Sequence, residues 1–182
     1  MEIIGHHTCF KKGGETTVLK EAPFPSKTDK EIPFLGEGYY FWDDNLDMAK
    51  FWGSRFYKND YFVVEGIITT SKDIFLDLVG NRQDMKLFRN LMNDFKSKGF
   101  NAENWSIGAF IEFLKQLSKY DAKIFPYKII RAIDHSASLV KHLTFYFVQG
   151  KENFTNLAPR ILICLVEKNS VFLRITKIVA QS

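Results

Sequence analysis

Two segments in the middle of the chain repeat their apolar residues at helical spacing, and the segments on either side do not. Met85, Phe88, Leu91, Met92 and Phe95 form one stripe, which Gly99 ends. Ile107, Phe110, Ile111, Leu114 and Leu117 form a second after Asn104, and Pro126 breaks the pattern beyond it. Before them, residues 61–70 (YFVVEGIITT) are β-branched and strand-like; after them, residues 161–166 (ILICLV) read as a buried strand. Strands, then helices, then strands do not make the regular alternation of a parallel α/β sheet. The expected class is α+β, with a helical segment at about residues 81–120. Both stripes read as core faces.

The flanking regions add further strands at residues 2–10, 39–42, 74–78, 143–148 and 171–179. Asp44 reads as a helix N-cap, with Asp47 favouring the positive end of the helix dipole and Leu46, Ala49 and Trp52 giving the helix an apolar side. Residues 11–35 carry Pro23, Pro25 and Pro33 and no period, so a long loop is expected there. Its Lys11, Lys12, Lys20, Lys27 and Lys30 would suit phosphates, but Glu15, Glu21, Asp29 and Glu31 dilute them, and a solvated loop is the simpler reading. At 182 residues, without internal repeats, the chain is read as one domain, 1–182.

Composition narrows the function classes little. A net charge of +4 permits a nucleic-acid partner without demanding one. Cys9 and Cys164 are too few for a disulfide framework or a zinc site, which points to a reducing, cytoplasmic setting. MEIIGHHTCF has no basic region followed by an apolar run, so no signal peptide is expected, and no stretch approaches the roughly 18 apolar residues of a membrane span. In that setting Asn153-Phe154-Thr155 reads as a chance glycosylation match.

The candidate chemistry lies near the N-terminus. In GEGYYFWDD, Gly36 and Gly38 free the backbone just before a strand whose aromatics alternate, Tyr39 and Phe41 facing one way and Tyr40 and Trp42 the other. One face must be core; the other can line a pocket for a flat ring. His6 and His7 are adjacent on a strand and point to opposite faces, a poor metal pair, though either can donate a hydrogen bond to a sugar hydroxyl. Asp134-His135-Ser136 reads as a polar turn, because neighbours in sequence rarely converge on one atom as a triad must.

Taken together, GHHTCF, LGEGYYFWDDNLDMAKFWG and IFLDL resemble the ADP-ribosyltransferase family, most closely small bacterial members with a YHGT … LGEGVYFYED pattern, over roughly the first 80 residues. The resemblance implies a split β-sheet core and NAD⁺ as co-substrate, bound in a cleft between the first two strands. It implies that His7 hydrogen-bonds the adenine-side ribose. The backbone of Thr8, where the family usually has Gly, would hold the nicotinamide carboxamide. Tyr40 would pack beside the nicotinamide, with Gly36 and Gly38 shaping the turn under the cofactor. A pyridinium over aromatic rings gains about 0.5–2 kcal/mol.

In the implied reaction nicotinamide leaves, an oxocarbenium-like ribose forms, and a carboxylate stabilises it, as in glycoside hydrolysis. The family supplies a Glu at the start of a late strand, where this chain has Arg160. Glu152 is the chosen carboxylate, with Glu167 and Gln149 as alternatives. No metal is implied. The resemblance further implies a mono-ADP-ribosyltransferase acting on RNA, DNA or protein, an intracellular toxin or defence effector with a neutralising antitoxin partner. The alternatives are a catalytically incomplete module that binds a nucleotide or partner protein, and an interaction domain without NAD⁺.

Overall fold

The computed structural model describes residues 1–26, 31–100, 105–134, 144–151 and 154–182. Among these are nine strands and four helices: β1 Glu2–Phe10, α1 Gly14–Glu21, β2 Tyr39–Asp43, α2 Leu46–Phe56, β3 Tyr61–Thr69, β4 Phe75–Asp77, α3 Arg82–Ser97, α4 Ile107–Leu117, β5 Ile129–Asp134, β6 Thr144–Tyr146, β7 Phe154–Asn156, β8 Arg160–Leu165 and β9 Leu173–Gln181. Seven strands form one mixed sheet in the order β4-β5-β8-β2-β1-β3-β9, and β6 pairs with β7 apart from it. Only β4 and β5 run parallel; the other neighbours in the sheet are antiparallel. The α+β expectation holds.

The sheet is tightly laddered on either side of one weak seam. β1 pairs with β3 along its whole length, from Glu2↔Thr69 to Phe10↔Tyr61. β2 pairs with β8 from Tyr39↔Leu165 to Trp42↔Leu162. Between β1 and β2 the ladder has only Gly5↔Asp43 and His6↔Trp42, after which the strands part. Residue alternation assigns the faces. On one face Leu76, Ile130, Ala132 and Cys164 pack with Phe88 of α3 and with Phe110, Ile111 and Leu114 of α4. On that same face Trp42 and Val63 pack under Ala49 of α2. The opposite face packs Phe41, Ile68, Ile129 and Ile163 together, and Cys9, Phe62 and Val64 under Val18 of α1.

Both middle stripes form helices, each started by a side chain that satisfies otherwise orphaned backbone donors. Asn81 Oδ1 accepts from the N–H groups of Gln83 and Asp84, and Ser106 Oγ accepts from that of Ala109. Two local expectations are corrected. Residues 11–35 are not a loop throughout, because α1 occupies Gly14–Glu21. The helix buries a single apolar side chain, Val18, so it had no stripe to read. The cap of α2 is Asn45, whose Oδ1 accepts from the Met48 N–H at 3.0 Å. Asp44 instead takes φ 42, in the left-handed region that short polar side chains tolerate, and turns the chain out of β2.

Candidate functional site

Where β1 and β2 separate, a cleft of about 910 Å³ opens, walled by Thr8, Cys9 and Phe10 of β1 and by Tyr40, Phe41 and Trp42 of β2. Side chains of both sheet faces border it, and the parting of the strands brings them onto one cavity. The segment after α1 closes one side with Phe24, Pro25 and Ser26. Ser26 is held in place by a reciprocal backbone pair with Gly38, at 2.7 and 3.1 Å. A cleft therefore lies between the first two strands.

His7 sits across the seam. Its Nδ1 is 2.8 Å from the carbonyl oxygen of Tyr40, and its Nε2 is 3.1 Å from the backbone N–H of Phe24. A carbonyl only accepts and an N–H only donates, so the ring is neutral with its proton on Nδ1. Burial drives its pKa down to about 4, against the opposing pull of the Tyr40 carbonyl, with Lys168 lowering it slightly further. His7 thus ties β1, β2 and the Phe24 segment together, and both of its ring nitrogens are engaged with backbone.

Thr8 lies on the other face, where its hydroxyl donates to the carbonyl of Ala49 at 2.8 Å and anchors α2. Tyr40 borders the cleft, but its hydroxyl donates to the Gly36 carbonyl at 2.6 Å and accepts the Leu35 N–H at 2.7 Å, closing the turn before its own strand. Burial, with Cys164 and Glu112 adding to it, raises the Tyr40 pKa far above its ordinary value against the opposing pull of the Leu35 N–H, so it remains a phenol.

The two glycines make room for protein. Gly36 has φ 81, and a Cβ there would run into the Glu112 carboxylate. A Cβ on Gly38 would come within 2.5 Å of Cys164 Sγ and of the Leu165 carbonyl. Neither residue lines the cleft. Glu112 accepts the Glu37 N–H at 2.6 Å and pairs with Lys115 at 2.5 Å, while Lys115 donates to the Glu37 carbonyl at 2.9 Å. The Gly-Glu-Gly turn is docked on α4.

Of the expected carboxylates, Glu152 lies outside the described residues, as do His135, Ser136 and Asn153. Glu167 is at the far end of β8, paired with Lys128 at 3.4 Å, and exposed Gln149 does not border the cleft. Arg160, the first residue of β8, does border it. Its guanidinium pairs with Asp134 at 2.8 Å and lies 5.7 Å from the centre of the Trp42 ring. Asp134 is not part of a turn: it is the last residue of β5, in register with Arg160. Sequence reasoning missed this cross-strand pair and gave the binding role to His7 over His6, which also borders the cleft; only the β5-β8-β2-β1 order brings Asp134, Arg160 and His6 together.

The thiols of Cys9 and Cys164 are free and buried, and burial pushes them up to about 11 and about 12. Among the described residues no group of His, Cys, Asp and Glu is arranged to hold a metal ion, and no helix is long and apolar enough to cross a membrane. Comparison with known protein families, curated proteins and solved structures found no match.

Proposed function

We propose that this chain binds NAD⁺ in the cleft between β1 and β2 and transfers ADP-ribose to a nucleic acid or protein. The observation that carries this reading is the cleft itself. Its 910 Å³ is at the upper end of the roughly 300–1,000 Å³ of small-molecule sites, and His7, Thr8 and Tyr40, three of the five residues singled out for NAD⁺, border it, whereas Gly36 and Gly38 do not. Aromatic walls from Phe24, Phe41 and Trp52 suit flat heterocycles. In this reading His7 Nε2 exchanges the Phe24 N–H for a ribose hydroxyl, and Glu152 supplies the carboxylate facing the oxocarbenium-like ribose. The biological setting proposed with it is that of a toxin or defence effector held in check by an antitoxin.

A second reading is favoured by one observation. The first position of β8 holds Arg160 in an ion pair with Asp134, and an arginine does not stabilise a developing cation. On that reading the domain binds a nucleotide without turning it over.

The test is incubation of the purified protein with NAD⁺ labelled in the adenylate and a cell lysate, followed by nuclease or protease treatment of parallel samples. Label lost with one treatment establishes transfer and names the acceptor class. NAD⁺ that stabilises the fold without being consumed supports the binding module. NAD⁺ neither bound nor consumed overturns both.

A further inference from the structure

His6, rather than His7, carries the unused hydrogen-bonding capacity of the cleft. Among the described residues two buried side-chain nitrogens lack a partner, His6 Nδ1 and Arg160 Nε, and both residues border this one cavity. They flank the same side chain: His6 of β1 is the register partner of Trp42, and Arg160 of β8, on the other side of β2, lies over the Trp42 ring. The His6 residue is 5% exposed and the Arg160 side chain 12%. Buried polar groups are nearly always paired. Two orphans on one cavity mark a place where a ligand supplies the missing partners.

The surrounding charge selects the kind of ligand. The ionisable side chains on the cleft wall cancel, Lys12 and Arg160 against Glu21 and Asp134, the two histidines being neutral. Arg160 is already neutralised by Asp134. The charged groups that act on His6 are Glu65 and Asp44, opposed by Lys177, which pairs with Glu65 at 3.5 Å, so no excess of positive charge beside His6 favours an anion. Burial nonetheless lowers the His6 pKa and leaves a neutral imidazole, with one nitrogen free to accept. An arginine Nε–H can only donate. The complementary group is uncharged, with a carbonyl oxygen beside an N–H.

We propose that His6 and Arg160 form a subsite for a planar amide, with Arg160 Nε–H donating to the ligand's carbonyl oxygen and His6 Nδ1 accepting its N–H. A carboxamide and the amide edge of a nucleobase share this chemistry. In its carboxamide form the proposal rests on the NAD⁺ reading above, with His6 and Arg160 taking the carboxamide in place of the Thr8 backbone; in its nucleobase form it does not.

The test is titration of the full chain, by calorimetry and thermal shift, with nicotinamide, nicotinate, uridine and 3-methyluridine. Nicotinamide binding above nicotinate assigns the carboxamide, and uridine above 3-methyluridine, which lacks the N–H, assigns the nucleobase edge. The preferred amide should weaken about tenfold in Arg160→Lys, which keeps the charge opposite Asp134 but not the Nε fork, and in His6→Leu. His6→Asn, which returns an acceptor near the Nδ1 position, should restore most of the loss. Absence of binding by both amides, equal binding of amide and control, or unchanged selectivity in folded His6→Leu and Arg160→Lys would each overturn the proposal. ADP-ribose transfer alongside any of these results leaves the transferase reading standing. Uridine selectivity without NAD⁺ binding does the reverse.

Discussion

The His7 ring joins two strands at the point where their backbones stop pairing, donating from Nδ1 to the Tyr40 carbonyl at 2.8 Å. It also accepts the Phe24 N–H at 3.1 Å, so one imidazole fixes three sides of the cleft. Only the neutral ring can do both, because a protonated Nε2 would turn a donor toward a donor.

Stability should therefore fall on acidification through a defined window. The folded-state pKa of His7 is about 4 against an ordinary 6.5, so between these values the unfolded chain binds more protons and unfolding becomes easier as pH falls. The contribution is complete above about pH 6.5 and gone below about pH 4, of the order of 3 kcal/mol at about 1.4 kcal/mol per pH unit. His6, lowered by burial as well, adds in the same direction. Urea midpoints at pH 7, 5.5 and 4 check this. His7→Asn should have a lower midpoint at pH 7 and a flatter slope, and an unchanged slope would show that His7 does not carry the dependence.

Gly38→Ala should destabilise the fold by about 1–3 kcal/mol, as overpacking in a filled site does. The added methyl meets the Leu165 carbonyl, and backbone cannot rotate out of the way. Gly14→Ala is the control for strain without crowding, since Gly14 has φ 78 but nothing near its missing Cβ. Thermal melts of both variants separate the terms. A Gly38→Ala protein with wild-type stability and lost ligand binding would return the glycine to the cofactor role first expected of it.

Glu112→Ala should cost about 1–3 kcal/mol, because it strips the Glu37 N–H of its acceptor and Lys115 of its counter-ion. The damage should be local. Hydrogen exchange at Glu37 should speed up markedly, while β1 and β3, laddered along their full length, keep their protection. Uniform acceleration across the sheet would show that the turn is integral to the global unfolding unit.

The middle helices and the long strands were legible because each has a period and an apolar face: Phe88, Phe110, Ile111 and Leu114 all reach the core their spacing implied. The GEGYYF turn was legible as an unusual backbone but not in its purpose. Its glycines answer to Glu112, seventy-odd residues away, and to β8, neither of which local sequence reveals. Helix α1 was invisible because one buried valine makes no pattern. The pairing of Arg160 with Asp134, and the convergence of both with His6 around Trp42, arises from strand order. No spacing rule encodes that order, since β8 enters between β5 and β2 from the other end of the chain.

Tyr40 tests whether ring or hydroxyl matters to the cleft. Tyr40→Phe keeps the aromatic face but loses the bonds to the Leu35 N–H and the Gly36 carbonyl, both in part-buried surroundings. It should lower stability by about 1–3 kcal/mol, the cost of leaving such groups unsatisfied. Tyr40→Ala also removes a ring packed against the core around Leu35, Ile130 and Cys164, so its loss should be larger, about 3–5 kcal/mol. If the ring is what a flat ligand rests on, NAD⁺ affinity in Tyr40→Phe should stay within a few-fold of wild type once folded protein is counted, and only Tyr40→Ala should lose it. A Tyr40→Phe protein that is stable yet binds NAD⁺ no better than the alanine variant would mean that the hydroxyl contacts the ligand directly, and that the closed turn seen here opens to receive it.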